Sequence, residues 1–234
     1  MFFDFLQKKA SMPSAEEILP HREQVIVVSD KHAVLPSTTK GPWPGMQTVL
    51  FGLGCFWGAE RLFWQLDGVV STQVGYAAGT TKNPTYRDVC SGRSGHNEIV
   101  RVVWDEKRIS FSTLLAVFFE AHDPTQGFRQ GNDSGTQYRS GIYTTTEVQQ
   151  EEANAARAVY EKELEAQELG PVTTEVLPGI EFFFAEEEHQ QYLHKNPAGY
   201  CGLKGTGVSC ALPSTSEALP LRNASAKKEE STSS

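Results

Sequence analysis

The chain has 234 residues, 39% hydrophobic and 10% aromatic, enough to bury the core of one domain with extensions or of two small ones. Its formal charge of −8 repels phosphate and argues against nucleic acid or anionic membrane as the main partner, and no apolar run approaches the roughly 18 residues that span a bilayer. Four cysteines are too few for a disulfide scaffold; they are expected as thiols of a reducing, cytoplasmic compartment, where any disulfide is more often catalytic than structural.

Residues 1 to 45 mix Lys, Glu, Ser and Pro around one short apolar run at 25 to 28 and read as a partly flexible N-terminal arm. Its opening "MFFDFLQKK" carries Asp4 and no basic stretch before the apolar residues, so it is a poor signal peptide. A strand at 48 to 53 leads into a helix over residues 55 to 66, where Ala59, Leu62, Phe63 and Leu66 fall at i, i+3, i+4 and i+7. Two further strands, 69 to 77 and 98 to 105, flank the long loop "GTTKNPTYRDVCSGRSGH". A second helix starts after Ser110 with Phe111, Leu114, Leu115 and Phe118 on one face, and a fourth strand at 141 to 145 follows the loop "HDPTQGFRQGNDSGTQYRS". A third helix runs over 147 to 169 and stops at Gly170-Pro171. The order β-α-β-β-α-β predicts an α/β two-layer fold with a ferredoxin-like split βαβ core, helices on one face of a mostly antiparallel sheet. One domain is expected over 46 to 200, a Gly-rich segment over 201 to 210, and a disordered Ser-, Glu- and Lys-rich tail over 211 to 234.

Chemistry concentrates at "GLGCFWGAE". Gly52, Gly54 and Gly58 are spaced one residue too widely for a dinucleotide fingerprint, and no acidic residue ends the next strand. Those glycines are expected to bare the backbone around Cys55 for a substrate. Cys55 opens a helix, where outward N–H groups stabilise a thiolate and lower the thiol pKa. The competing reading is a small core residue, but Trp57 lies off the buried stripe and favours a site.

Glu98 shares a strand face with Val100, Val102 and Trp104. On the core side it is desolvated and becomes a proton donor near neutrality; at a solvated strand end it is inert. His96 reads as a hydrogen-bonding loop residue rather than a base for Cys55 or a zinc ligand. Cys201 and Cys210, in "NPAGYCGLKGTGVSC", read as mobile redox thiols. A zinc site is the rival, with a spacing that fits no standard finger or ribbon. Cys90 has no obvious partner.

"GLGCFWGAE", "NPTY", "GHNE", "HDPTQGFRQGNDSGTQYRS" and "NPAGYCGLKGTGVSC", in this order from Met46 to Cys210, closely resemble the A-type peptide methionine sulfoxide reductases, in their animal-like form with two C-terminal recycling cysteines. The resemblance implies that Cys55 is the nucleophile and Glu98 the acid, within a single catalytic domain. It further implies that Phe56 and Trp57 wall the substrate methyl group, that Tyr86 and Tyr138 hydrogen-bond the sulfoxide oxygen, and that Asp133 lines the same pocket. Cys201 would attack the oxidised Cys55, and Cys210 would carry the disulfide outward to thioredoxin. The substrate would be methionine sulfoxide of the S form, free or in proteins, reduced by a monomer with no metal or organic cofactor. "GHNE" departs from the commoner "GHAE" only in Asn97, beside the acid.

This agrees with the chemistry read from the residues. A sulfoxide oxygen leaves only when protonated, so the site needs an acid beside a thiolate. A nearby thiol then spares the resulting sulfenic acid from further oxidation. Two other classes compete: a cysteine hydrolase pairing Cys55 with His96, His122 or His189, and a zinc-stabilised interaction module built on Cys201 and Cys210.

Overall fold

Val49, Phe51 and Leu53 alternate along strand β1 (Gln47–Leu53) and are fully buried, which gives the strand one core face. In the computed structural model, which describes residues 11 to 212 and 221 to 222, that face receives helix α1 (Phe56–Trp64). Phe51 is the pivot: its ring stacks on Phe63 of α1 at 5.0 Å between centroids. On its other side Phe118 lies at 5.1 Å, from the second long helix of this layer.

After α1 come β2 (Val69–Ala77), a short helix α2 (Tyr86–Cys90), β3 (Asn97–Trp104) and helix α3 (Phe111–Ala121), which carries Phe118. A small hairpin, β4 (Arg129–Gln130) and β5 (Asp133–Ser134), and a 3₁₀ turn at Thr136–Tyr138 precede β6 (Ser140–Thr144) and helix α4 (Glu147–Glu165). Strands β7 (Glu175–Pro178) and β8 (Phe183–Phe184) and helix α5 (Tyr192–Lys195) follow. The large sheet has the order β7-β6-β1-β3-β2-β8. Its inner four strands, β6-β1-β3-β2, are antiparallel throughout, the split βαβ arrangement expected from the element order. The parallel pairing of β7 with β6 makes the whole sheet mixed.

Ser110 and Thr146 cap α3 and α4 by accepting the N–H groups of Thr113 and Gln149, each at 3.2 Å. The opposite sheet face is covered by aromatic side chains around the Arg101 guanidinium, which lies 4.3 Å from the Phe182 centroid and 5.1 Å from that of Trp43. Trp43 belongs to the N-terminal arm, which also buries Val28, His32 and Leu35.

Two expectations change. The loop between β2 and β3 contains α2, opened by a capping box in which Thr85 and Asp88 exchange hydrogen bonds. The third helix ends at Glu165 rather than 169, and the left-handed Glu168 turns the chain while Leu169 N–H reaches back to the Leu164 carbonyl. Of the proposed tail and arm, residues 1 to 10, 213 to 220 and 223 to 234 lie outside the described residues. Arg222 donates to the carbonyls of Trp64 and Val69 between α1 and β2. Among the described residues no helix is long and apolar enough to cross a membrane.

Candidate active site

Cys55 occupies the N-cap of α1, with no side-chain cap of its own. A helix start leaves N–H groups without intrahelical partners, and here a distant residue supplies one acceptor. The Glu98 carboxylate, from β3, accepts the Phe56 N–H at 3.2 Å. The acid therefore caps the helix that the thiol begins, and this places the two side by side.

Glu98 is 2% exposed, on the face shared with Val100, Val102 and Trp104. Burial pushes its pKa up to about 8, against the pull of the Phe56 N–H. It is thus largely protonated at neutral pH. Cys55 departs from expectation. Burial, and next the Glu98 charge, hold its thiol well above the ordinary range, although the N–H groups of Trp57 and Gly58 favour the thiolate. The helix start does act on the sulfur as anticipated, but desolvation outweighs it.

Tyr86 and Tyr138 come from separate elements and both feel the Glu98 charge; burial, then that charge, raises their hydroxyl pKa values. Tyr86 starts α2, and its position follows from two contacts. Its N–H donates to Glu186 Oε1 at 2.8 Å, and its ring lies 4.5 Å from that of His189. Tyr138 ends the 3₁₀ turn, which the buried Arg139 fixes by donating to the Thr136 carbonyl at 2.8 Å and to the Ala78 carbonyl at 3.0 Å. Asp133, in the β4–β5 hairpin, accepts from the Tyr200 hydroxyl at 3.2 Å.

Phe56 is buried under the site against Tyr76 and His189. Trp57 is held on two sides. Its ring stacks on Tyr192 at 3.9 Å, and its indole N–H donates to His189 Nδ1 at 3.1 Å. The sequence pattern does not mark Glu186, Tyr192 or Tyr200, and it offers His189 only as a hydrolase base rather than as a support for Trp57. The available signal was "EEEHQQY", where His189 and Tyr192 stand three apart, and the Tyr directly before Cys201.

The glycines clear protein groups. A methyl on Gly58 would lie 3.0 Å from the Cys201 sulfur, and one on Gly52 would lie 2.2 Å from the Asn97 amide nitrogen. That amide donates to the Arg139 carbonyl and the Tyr143 hydroxyl, tying β3 to β6. Cys201 therefore sits over the first turn of α1, and Tyr200 feels both Cys55 and Cys201. Cys210 is 2% exposed, its N–H on the Glu120 carboxylate at 2.7 Å. Cys90, one helical turn after Tyr86, hydrogen-bonds its side chain and so stands at the rim of the site.

Of the candidate hydrolase bases, His96 is hydrogen-bonded with Thr81 and Gly79 and His122 with Phe118 and Ser140, whereas His189 stands at the site with its Nδ1 accepting the Trp57 indole N–H. Among the described residues no cluster of three or more His, Cys, Asp or Glu side chains is placed to hold a metal ion.

Residues 47–212 match the family described as peptide methionine sulfoxide reductase. The chain is 57% identical over 212 residues to peptide methionine sulfoxide reductase MsrA 1 of Synechocystis sp., covering 90% of this chain and 96% of the relative. It is 57% identical over 213 residues to peptide methionine sulfoxide reductase MsrA of Brucella ovis, covering 91% and 98%. Among solved structures, methionine sulfoxide reductase A of Corynebacterium diphtheriae is similar with a TM-score of 0.78 at 48% identity, covering 87% of this chain and 99% of that one. Reduced Mxr1 of Saccharomyces cerevisiae gives 0.62 at 33% identity, covering 69% and 92%.

Proposed function

Because the chain belongs to the A-type peptide methionine sulfoxide reductases, we infer that its reaction runs through Cys55, Glu98, Cys201 and Cys210. The enzyme reduces methionine sulfoxide to methionine. The observation that carries the assignment of roles is the Glu98 carboxyl on the Phe56 N–H, which sets a proton donor next to the Cys55 thiol.

Glu98, protonated below about pH 8, donates to the sulfoxide oxygen, which Tyr86 and Tyr138 hydrogen-bond. While Glu98 is neutral, its charge no longer opposes ionisation of Cys55, and the first-turn N–H groups favour the thiolate. The thiolate attacks the substrate sulfur beside Phe56 and Trp57. The oxygen ends on Cys55 as sulfenic acid and methionine departs, so one sulfur is reduced as the other is oxidised.

The Cys201 thiol then attacks the Cys55 sulfur and water leaves. Cys210 takes over the disulfide by exchange with Cys201, and thioredoxin, a dithiol reductant, resets the enzyme. In this reading residues 46 to 200 form the catalytic domain and 201 to 210 the recycling segment. The monomeric enzyme works in the cytoplasm on the S epimer, free or in proteins, by cysteine chemistry alone.

Replacing Cys55 with Ser is expected to abolish reduction of a methionine sulfoxide peptide, because a hydroxyl cannot carry the sulfenic step. Turnover retained by the Cys55→Ser protein would contradict the assignment.

A further inference from the structure

The recycling segment is docked in the reduced enzyme. Its Gly205 packs so closely on the end of α3 that a methyl there would overlap the Glu120 carbonyl oxygen. The Tyr160 hydroxyl of α4 lies 2.9 Å from Thr206 Oγ1 and 3.2 Å from the Val208 carbonyl, to which it donates. Beyond these contacts Cys210 is buried, with its backbone N–H on Glu120 Oε1 at 2.7 Å. Cys201, at the other end of the segment, lies against Gly58.

We propose that Glu120 is a positioning residue that parks Cys210 in the reduced enzyme, so that disulfide exchange with Cys201 waits on release of Cys210 from this carboxylate. The proposal rests on the relay assigned to Cys201 and Cys210 above. Glu120 acts twice. Its hydrogen bond fixes the Cys210 backbone, and its charge, with that of Glu163 from α4, opposes thiolate formation at a sulfur already desolvated. Burial and these two carboxylates push the Cys210 thiol up to about 12, and among the described residues the Tyr160 hydroxyl also faces it. A thiol so held is a poor nucleophile and a poor target for oxidants. Glycines 202, 205 and 207 supply the slack for release.

The gated step balances without an oxidant. Cys210 gives its proton to solvent and its thiolate attacks Cys201 Sγ. The Cys55–Cys201 bond breaks as the Cys201–Cys210 bond forms, and Cys55 leaves as a thiolate that takes up a proton.

The test is a single turnover of the full-length reduced enzyme with a methionine sulfoxide peptide and no reductant. Samples are quenched by alkylation and the disulfides mapped by mass spectrometry across a pH series. Glu120→Gln keeps an acceptor for the N–H but removes the charge. A one-unit fall in thiol pKa raises the thiolate fraction about tenfold and lowers its intrinsic reactivity about threefold, leaving a net gain of about threefold. Conversion of Cys55–Cys201 to Cys201–Cys210 is therefore expected to run faster in Glu120→Gln, about threefold for each unit by which its pH dependence moves to lower pH. Glu120→Asp keeps the charge and shortens the reach; it should speed conversion without moving the pH dependence. Conversion that is unchanged or slower in both variants overturns the proposal. A wild-type enzyme that never forms Cys201–Cys210 overturns the relay itself and the latch with it.

Discussion

Glu98 joins the local fold to the reaction. Its carboxyl closes the first turn of α1 and, buried, is pushed up to about 8. A raised carboxyl pKa means the acid form persists at neutral pH and is lost as pH rises through that value. Because Cys55 ionises well above Glu98, the form that carries acid and thiolate together grows up to about pH 8 and is then level. The value of kcat/KM should therefore climb to about pH 8 and flatten. Glu98→Gln should lower it about a hundredfold, the scale of a lost general acid, and its rate should keep climbing past about pH 8. Measuring kcat/KM against pH for both proteins checks this; an unchanged rate in Glu98→Gln removes Glu98 as the acid. Cys201 supplies the second test at this scale. With Cys201→Ser and thioredoxin, product should stop at about one equivalent per enzyme, since no thiol then resolves Cys55. Continued cycling would assign resolution to Cys90 or Cys210.

At the scale of elements, α2 is the clearest case of structure serving the site. It has only five residues, too few to persist without its cap, yet it presents Tyr86 and Cys90. Thr85→Ala should cost about 1 kcal/mol and raise KM for the sulfoxide more than it lowers kcat, which steady-state kinetics and thermal melting together resolve. An unaltered KM would separate Tyr86 from the cap. The four inner strands and three long helices were legible because each repeats an apolar pattern long enough to distinguish period two from period three to four. The capping box of α2 was present in "TYRD" but had no apolar face to announce it. The nucleophile and acid were legible from a thiol at a helix start and a carboxyl on an apolar strand face. His189 and Tyr192 were not, because their role depends on a fold that brings residues 189 to 192 onto Trp57. The thiol pKa was misjudged because helix polarity can be read locally, whereas burial is a property of the assembled site.

For the whole molecule, the buried titratable groups set how stability responds to pH. His32 and His122 are buried and lowered from 6.5 to about 4. Below 6.5 the unfolded chain binds protons these histidines refuse in the fold, so their contribution is lost as pH falls toward 4. Glu60 and Glu98 are raised from 4.5 to about 7 and about 8. The fold binds protons the unfolded chain has released, so their contribution is lost as pH rises from 4.5 through those values. His96 and His189 are also buried and lowered, so the histidine slope prevails up to the ordinary histidine value and the glutamate slope above it. This places maximum thermal stability at about pH 6 to 7; a melting temperature that climbs steadily to about pH 8 would contradict this balance. The central claim, oxygen transfer from substrate sulfur to Cys55 with Glu98 as acid, meets its most direct test in the Cys201→Ser protein. After one turnover with a methionine sulfoxide peptide and trapping by a sulfenic-acid reagent, the adduct should lie on Cys55 alone, in amount equal to the methionine formed. Methionine formed without an adduct on Cys55, or with the adduct on Cys90 or Cys210, would contradict the account.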